Sequence, residues 1–343
     1  MATKQIQTIL FCGLGAIGQR HLRIVKSLLP KAKIFAYRRR GRKQIVNDDL
    51  TARSGSPERF YGLTPVYDWQ TAVRLKPDLV FVTNPSALHV PTAQKFLRAG
   101  THLIIEKPLG VSVREAEKFY RQAARTKNAI LVGYQLNHHP LFVEVKKLLR
   151  RKAIGRLCSV HVAIGYYAPI FHRYESYRDS YLARRDQGGG VILTQSHEIN
   201  SIVELFGLPK SLYALGGKRS RLAINVEDTA DVLCDYRSFS LTLHMDYLQY
   251  QGERTYRLVG DKGTIILDLV ANTLTTVSTA GKIKTRSLPG FERNSMFRAE
   301  QKDILKQIRT KKYDRTNLQN AVLVLKFSEA IKKSIRLKRI ISL

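Results

Sequence analysis

Acidic residues are scarce in this chain. Its 343 residues include 27 Asp and Glu against 58 Lys and Arg, a formal net charge of +31. A balance so one-sided first suggests a nucleic-acid or membrane-surface partner. The distribution of the charge argues otherwise. Residues 1–150 carry 26 basic and 9 acidic side chains, and residues 151–343 carry 32 and 18. No polybasic tail exists, and the densest run, Arg38-Arg39-Arg40-Gly41-Arg42-Lys43, lies inside the first third. A dedicated nucleic-acid binder more often gathers its charge on one module, arm or helix. The expectation is a generally basic protein with no nucleic-acid partner, to which phosphate-bearing ligands are welcome.

Cysteine and long apolar runs are also lacking. Cys12, Cys158 and Cys234 are odd in number, far apart and without CxxC spacing. They make neither a disulfide framework nor a zinc site, and they fit a reducing compartment. No stretch approaches the roughly 18 apolar residues of a membrane helix, and Ile6 to Cys12 runs straight into a glycine turn. These absences predict a cytoplasmic chain with no membrane partner. No internal repeat is visible. The 44% of hydrophobic and 25% of charged residues exclude wholesale disorder, and the length suggests two domains with real cores.

The first third alternates two patterns. Short apolar runs occur at 7–12, 33–37, 77–83, 101–106 and 129–133, with helical spacing at 17–29, 90–99 and 112–126. Almost continuously apolar strands separated by helices indicate a doubly wound parallel sheet. After about residue 134 the pattern changes. Helices over 141–151 and 191–206 precede closely spaced strands at 211–215, 230–236, 240–248, 255–259, 263–267 and 274–278, and helices at 296–309 and 317–338 close the chain. The fold class expected is α/β, with an N-terminal Rossmann sheet (1–133). An α+β unit with a large, mostly antiparallel open sheet follows (134–343), for substrate binding and oligomerisation, and its last helices can pack back on the first domain.

Gly13-Leu14-Gly15-Ala16-Ile17-Gly18 follows the first strand and opens a helix. That context is what the dinucleotide fingerprint requires. Gly13 permits the tight turn, Gly15 lets the backbone approach a pyrophosphate, and Gly18 allows close helix–strand packing. The pyrophosphate sits at the helix N-terminus with Ala16 and Ile17. The second strand ends in Tyr37-Arg38-Arg39-Arg40, with no acid before Asp48. An acid there would hydrogen-bond a ribose 2′-hydroxyl, whereas arginine accepts a 2′-phosphate. NADP is therefore favoured, with Arg38 and Arg39 on the phosphate, and NAD remains possible.

Three further motifs carry a family resemblance: Thr83-Asn84-Pro85-Ser86-Ala87-Leu88-His89, Glu106-Lys107-Pro108, and Gly188-Gly189-Gly190 followed by Ser196-His197-Glu198. The chain resembles the Gfo/Idh/MocA oxidoreductases over nearly its whole length. The resemblance implies that Thr83, Asn84, Pro85, His89, Glu106 and Gln135 border the cofactor. It implies that Lys107 lies between nicotinamide and substrate, and that His197 is the acid/base histidine. Lysine there can hydrogen-bond the carbinol oxygen, and histidine can shuttle its proton. The family's aspartate three or four residues earlier is replaced by Leu193 and Thr194. Thr194 is expected to hydrogen-bond substrate, and Asn200 stands where a second aspartate often follows.

The block Tyr166 to Arg178, with Ser180 to Arg185, is similar to a segment of family members from surface-polysaccharide and nonulosonic-acid gene clusters. Aromatics such as Tyr174 stack on rings, and Arg178 or Arg184 can grip a carboxylate or phosphate. His138-His139 lacks acids or cysteines at metal spacing, so no metal is expected. The resemblance implies hydride transfer to or from a secondary alcohol or ketone carbon of a sugar-like substrate, a nucleotide-linked or acidic sugar in polysaccharide biosynthesis. A free polyol or monosaccharide, or a non-catalytic dinucleotide-binding sensor, are the alternatives. A homodimer or homotetramer is expected.

Overall fold

The computed structural model describes residues 6–39, 43–172 and 174–343. Arg40, Gly41 and Arg42 of the basic run, and Arg173 of the aromatic block, lie outside the described residues.

The five apolar runs of the first third, with Thr64–Val66 added at one edge, form a sheet of six strands among the described residues. Its order is Thr64–Val66, Lys33–Tyr37, Thr8–Cys12, Leu79–Val82, His102–Glu106, Ile130–Gly133. Every neighbouring pair is parallel. Leu79–Val82 and Ile130–Gly133 are buried at every position, as strands covered on both faces must be. The chain winds outward from Thr8–Cys12 in one direction and from Leu79–Val82 in the other. A crevice opens beyond the carboxyl ends of those two strands, where ligands of open parallel sheets bind. Gly13 and Thr83 stand at its lip.

A nine-stranded sheet follows, in the order Ile283–Ser287, Thr273–Ser278, Gly263–Asp268, Glu253–Gly260, Leu157–Gly165, Ser240–Asp246, Thr229–Asp235, Ser211–Gly217, Ile341–Ser342. Only Ser240–Asp246 and Leu157–Gly165 pair in parallel; the other pairs are antiparallel. One face is apolar: Val160, Val162, Leu241, Leu243, Met245 and Leu258 are buried against helices. The opposite face leaves Leu215 and Leu233 exposed.

Leu157–Gly165, which joins the two halves of this sheet, is absent from the strand reading above. Its alternation was the available signal, since Val160, Val162 and Ile164 are buried while Ser159, His161 and Ala163 between them are not. The run read as one helix over 191–206 is two helices, Val191–Thr194 and Ser196–Phe206. At Gln195 between them the ladder tightens, with Glu198 N–H donating to Gln195 O, and the Gln195 Nε2 donates to Asp246 O at 2.8 Å.

The closing helices fold back onto the parallel sheet. On Asn294–Thr310, Gln301 Nε2 reaches His21 Nδ1 at 3.0 Å, and Asn294 accepts from Arg20 Nη1 at 2.6 Å. On Thr316–Leu337, Asn317 pairs with the backbone N–H and C=O of Val132. A side-chain amide thereby caps the open edge of the sheet, which would otherwise present unpaired groups.

Candidate active site

A cleft of about 1460 Å³ runs from the glycine turn to the helix break at Gln195. Glycine geometry builds the near end. Gly13 has φ +119°, and a Cβ there would lie 2.5 Å from the Thr83 carbonyl carbon. At Gly18 a Cβ would lie 2.4 Å from Gly13 O. Thr83 Oγ1 donates to that same oxygen at 2.7 Å, so turn and second strand lock together. Gly15 differs: a Cβ would meet nothing within 4 Å, because the position faces the open cleft. Gly15 caps the Ala16–Leu28 helix without a side-chain bond, and no acid stands in the first turn. The first N–H groups of that helix therefore face the cleft uncompensated, which fits a dinucleotide pyrophosphate. Asn84 Oδ1 is a buried acceptor without a protein partner, and it fits a donor from the same ligand.

The end of the Lys33–Tyr37 strand shapes the adenosine side. Tyr37 stacks on Trp69 with centroids 3.7 Å apart. Arg38 and Arg39 both line the cleft. Arg38 is buried, with Nε 2.5 Å from Glu58 Oε1, whereas Arg39 is exposed. Asp48, the nearest acid in sequence, is bound to Arg23 and Asn294 and does not line the cleft.

The far end gathers the titratable groups. Glu106 is buried and accepts from His21 Nε2 at 2.8 Å, an interaction that holds its carboxyl low against the cost of burial. His89 bridges two loops, its ring nitrogens 2.7 Å from Pro108 O and Asn84 O. Burial keeps the ring below its ordinary range, so the neutral form donates to one carbonyl at a time. The Lys107–Pro108 peptide is cis.

Lys107 Nζ donates to Thr194 O at 2.6 Å. The helix break makes that bond possible, because the N–H of Glu198 turns to Gln195 O and leaves the Thr194 carbonyl to the ammonium. Burial lowers the lysine to about 8, with Glu106 and Glu198 opposing and Arg254 and Arg293 assisting. His197 lines the same end, its Nε2 3.3 Å from Gln135 Nε2. Burial, then Lys107, Arg254 and Arg293, push it well below 6.5, so the ring is neutral at neutral pH.

Two sequence models match in turn: an oxidoreductase family with an NAD-binding Rossmann fold over residues 7–134, and a GFO/IDH/MocA C-terminal domain over residues 142–266. The chain belongs to the Gfo/Idh/MocA family. It is 26% identical over 197 residues to the scyllo-inositol 2-dehydrogenase (NADP(+)) IolU of Bacillus subtilis, which covers 56% of this chain and 57% of that one. The chain spans about half, or less, of the length of the curated relatives it matches. Its fold is that of levoglucosan dehydrogenase in complex with NADH and levoglucosan, with TM-score 0.82, 16% identity, and 98% and 99% of the two chains covered. It is also that of the WlbA dehydrogenase from Bordetella pertussis with NADH and UDP-GlcNAcA, with TM-score 0.80, 20% identity, and 99% of each chain covered. At these identities the likeness is one of fold.

Against that family background the expected residues separate. Gly13, Gly15, Ala16, Ile17, Thr83, Asn84, Pro85, His89, Glu106, Lys107, Gln135 and His197 all line the cleft, and Gly18 packs behind it. Thr194 also lines it, but its hydroxyl is taken by Gly190 O at 2.9 Å and by the Tyr247 hydroxyl. Its carbonyl, not its side chain, meets Lys107. Tyr174 and Arg184 line the cleft as well, Arg184 in an exposed pair with Asp186. Arg178 does not: it lies over the Tyr177 ring, beside a separate shallow depression with Lys218. Asn200 is buried on the Ser196–Phe206 helix, away from the cleft lining, with neither amide atom partnered.

Sequence reasoning passed over Arg20, Arg254, Arg293 and Glu198. Arg254 Nε donates to the fully buried Glu198 Oε1 at 2.6 Å. In a chain with 58 basic residues no local signal separates these arginines from solvated ones. His21, which gave no handle by itself, is the buried partner of Glu106.

Proposed function

We propose that the protein is an NAD(P)-dependent oxidoreductase acting on CH–OH groups, moving hydride to or from a secondary alcohol or ketone carbon of a sugar-like substrate. The observation that carries the reading is that Lys107 and His197 line one cleft together with the glycine turn, Lys107 bonded to Thr194 O and His197 to Gln135. A bound nicotinamide carries the hydride, and the oxidation balances as alcohol plus NAD(P)⁺ to ketone, NAD(P)H and a proton. The Lys107 ammonium donates to the substrate oxygen and offsets negative charge as hydride moves. Neutral His197 takes the hydroxyl proton in oxidation and returns it in reduction. The Gln135 amide donates to the Nε2 lone pair, which sets the ring's proton on Nδ1, and it gives way when Nε2 takes the substrate proton.

NADP is the favoured cofactor. The end of the second strand offers exposed Arg39 beside the cleft and no cleft-lining acid for a ribose hydroxyl, with Asp48 and Glu58 both ion-paired elsewhere. The substrate class we favour is a nucleotide-linked or acidic sugar in polysaccharide biosynthesis. Aromatic and cationic lining supports it, including Tyr166 stacked on Phe171 at 3.9 Å. Likeness to inositol dehydrogenase supports a free polyol or monosaccharide instead. The absent family aspartate leaves a third reading, a cofactor-binding sensor without turnover.

We further propose a domain boundary at residues 133/134, a cytoplasmic location, and a homodimer or homotetramer joined through the sheet face that exposes Leu215 and Leu233. A thermal-shift comparison of NAD, NADH, NADP and NADPH, followed by nucleotide sugars and inositols with the best cofactor, tests the main reading. NADPH is expected to stabilise most, because stabilisation follows ligand concentration over dissociation constant. Turnover confined to myo-inositol would sink the nucleotide-sugar reading, and binding without turnover of any substrate would favour the sensor.

A further inference from the structure

Resting on the oxidoreductase reading above, we propose that Arg293 selects the substrate by holding a carboxylate or phosphate oxygen of it beside the reacting carbon. Arg293 stands at the start of the Asn294–Thr310 helix, and its side chain opens into the cleft. Its backbone is anchored on both sides. The Phe291 ring lies 4.5 Å from His139, while Asn294 accepts from Arg20 and donates to Asp48 Oδ2 at 2.9 Å. A side chain on so fixed a stem is preorganised, which lowers the ordering cost of gripping a ligand.

The neighbouring charges are already committed. Arg20 reaches Asn294 Oδ1 and Asp48 O, Lys107 reaches Thr194 O, and Arg254 reaches Glu198. Among the acids, Glu106 takes His21 and Glu198 takes Arg254; Glu175 lies 3.8 Å from His172, and Glu253 accepts from Thr255. Arg293 alone among these cations has no hydrogen bond or ion pair with the described residues. A guanidinium open to the cleft without a counter-ion is free to take an anion, and its planar fork matches a carboxylate or phosphate edge.

The position favours substrate over cofactor. The pyrophosphate has its own donors in the Gly13–Gly18 turn and the helix behind it. The field of Arg293 meets Arg20 of the Ala16–Leu28 helix and extends to Lys107, His172 and His197 at the other end of the cleft, so the guanidinium stands between the cofactor's helix and the reacting groups. The neighbouring Arg20 and Arg254 crowd Arg293 with like charge, and it is still charged at neutral pH. A bound oxyanion relieves that crowding and the pressure on His197 together.

The test compares full-length wild type, Arg293→Met and Arg293→Lys. Each is titrated in the presence of NADPH with D-glucuronate and D-glucose, free and as UDP conjugates, and NADPH binding is followed separately by nicotinamide fluorescence. Wild type should bind a uronate about 10- to 100-fold more tightly than its matched hexose, the range of one or two charge-assisted hydrogen bonds. Arg293→Met should bring that ratio near one with NADPH affinity unchanged, and Arg293→Lys should restore part of it. The assignment is overturned if no uronate outbinds its hexose, or if Arg293→Met weakens NADPH and leaves the ratio alone. With NADP⁺ in place of NADPH, oxidation of both sugars without preference would overturn Arg293 and leave the oxidoreductase reading standing. A uronate preference in binding with no oxidation under NADP⁺ or NAD⁺ would do the reverse.

Discussion

Gly15 and Gly18 stand three residues apart, yet their replacement by alanine should fail in opposite ways. At Gly18 the new methyl would lie 2.4 Å from Gly13 O and 2.9 Å from Thr83 Oγ1. The nearer contact is backbone, so the turn itself must move. Overpacking of that kind costs about 1–3 kcal/mol. At Gly15 the methyl meets nothing within 4 Å, and φ −70° with ψ −173° suits any residue. Alanine is a poorer N-cap than glycine, but it also restricts the unfolded chain, and the two effects offset to within about 1 kcal/mol. The methyl does enter the space a pyrophosphate must occupy against the helix N–H groups. Losing one such charge-assisted bond costs about 1.5–3 kcal/mol, or about 10- to 100-fold in affinity. Differential scanning fluorimetry without ligand, paired with NADPH fluorescence titration, separates the outcomes. Gly15→Ala should melt within a few degrees of wild type and lose cofactor affinity, since about 1 kcal/mol shifts Tm by roughly 2–4 °C in domains of this size. Gly18→Ala should melt clearly lower. Unchanged NADPH affinity in a well-folded Gly15→Ala would refute the placement of the pyrophosphate.

The other expectations concern Lys107 and the cofactor's edge. Lys107→Met should lower turnover about 100- to 1000-fold, the usual effect of removing one donor to a developing oxyanion, with cofactor affinity retained; stopped-flow hydride transfer reads it directly. Because burial lowers Lys107 to about 8, its donor form is present below that pH and lost above it. Ketone reduction by wild type should therefore fall as pH rises through about 8, and a rate flat from pH 7 to 10 would contradict the role. Arg39→Ala should weaken NADPH about tenfold and leave NADH unchanged, as expected of one exposed phosphate contact. Arg38→Ala should lower Tm as well, because it removes a buried guanidinium from the half-buried Glu58, a loss of about 1 kcal/mol.

Much of the site was legible because it is local. The Gly13–Gly18 turn, Thr83 to His89 and Glu106-Lys107-Pro108 each follow a strand of the parallel sheet, and strands covered on both faces announce themselves as continuous apolar runs. Their carboxyl ends then meet at one crevice by topology alone. Leu157–Gly165 was harder, since only one of its faces is apolar. The break at Gln195 had no local signal. Val191 to Phe206 is helix-compatible throughout, and the Gln195 side chain at the break is held by Asp246 O, 51 residues away.

The order of strands, the glycine geometry and the identity of the family are written in short segments, where backbone sterics and burial act between near neighbours. Charge pairing is different. Whether an arginine in so basic a chain is solvated, committed or waiting for an anion depends on which carboxylate the fold brings within reach. Arg38 is committed to Glu58 and Arg254 to Glu198, while Arg293 faces the cleft with no partner among the described residues. Coulomb and hydrogen-bond terms are decided at a few ångströms, between residues up to 280 positions apart, as with Gln301 and His21. Only the tertiary structure sets those distances, and with them which of the many positive charges can do chemistry.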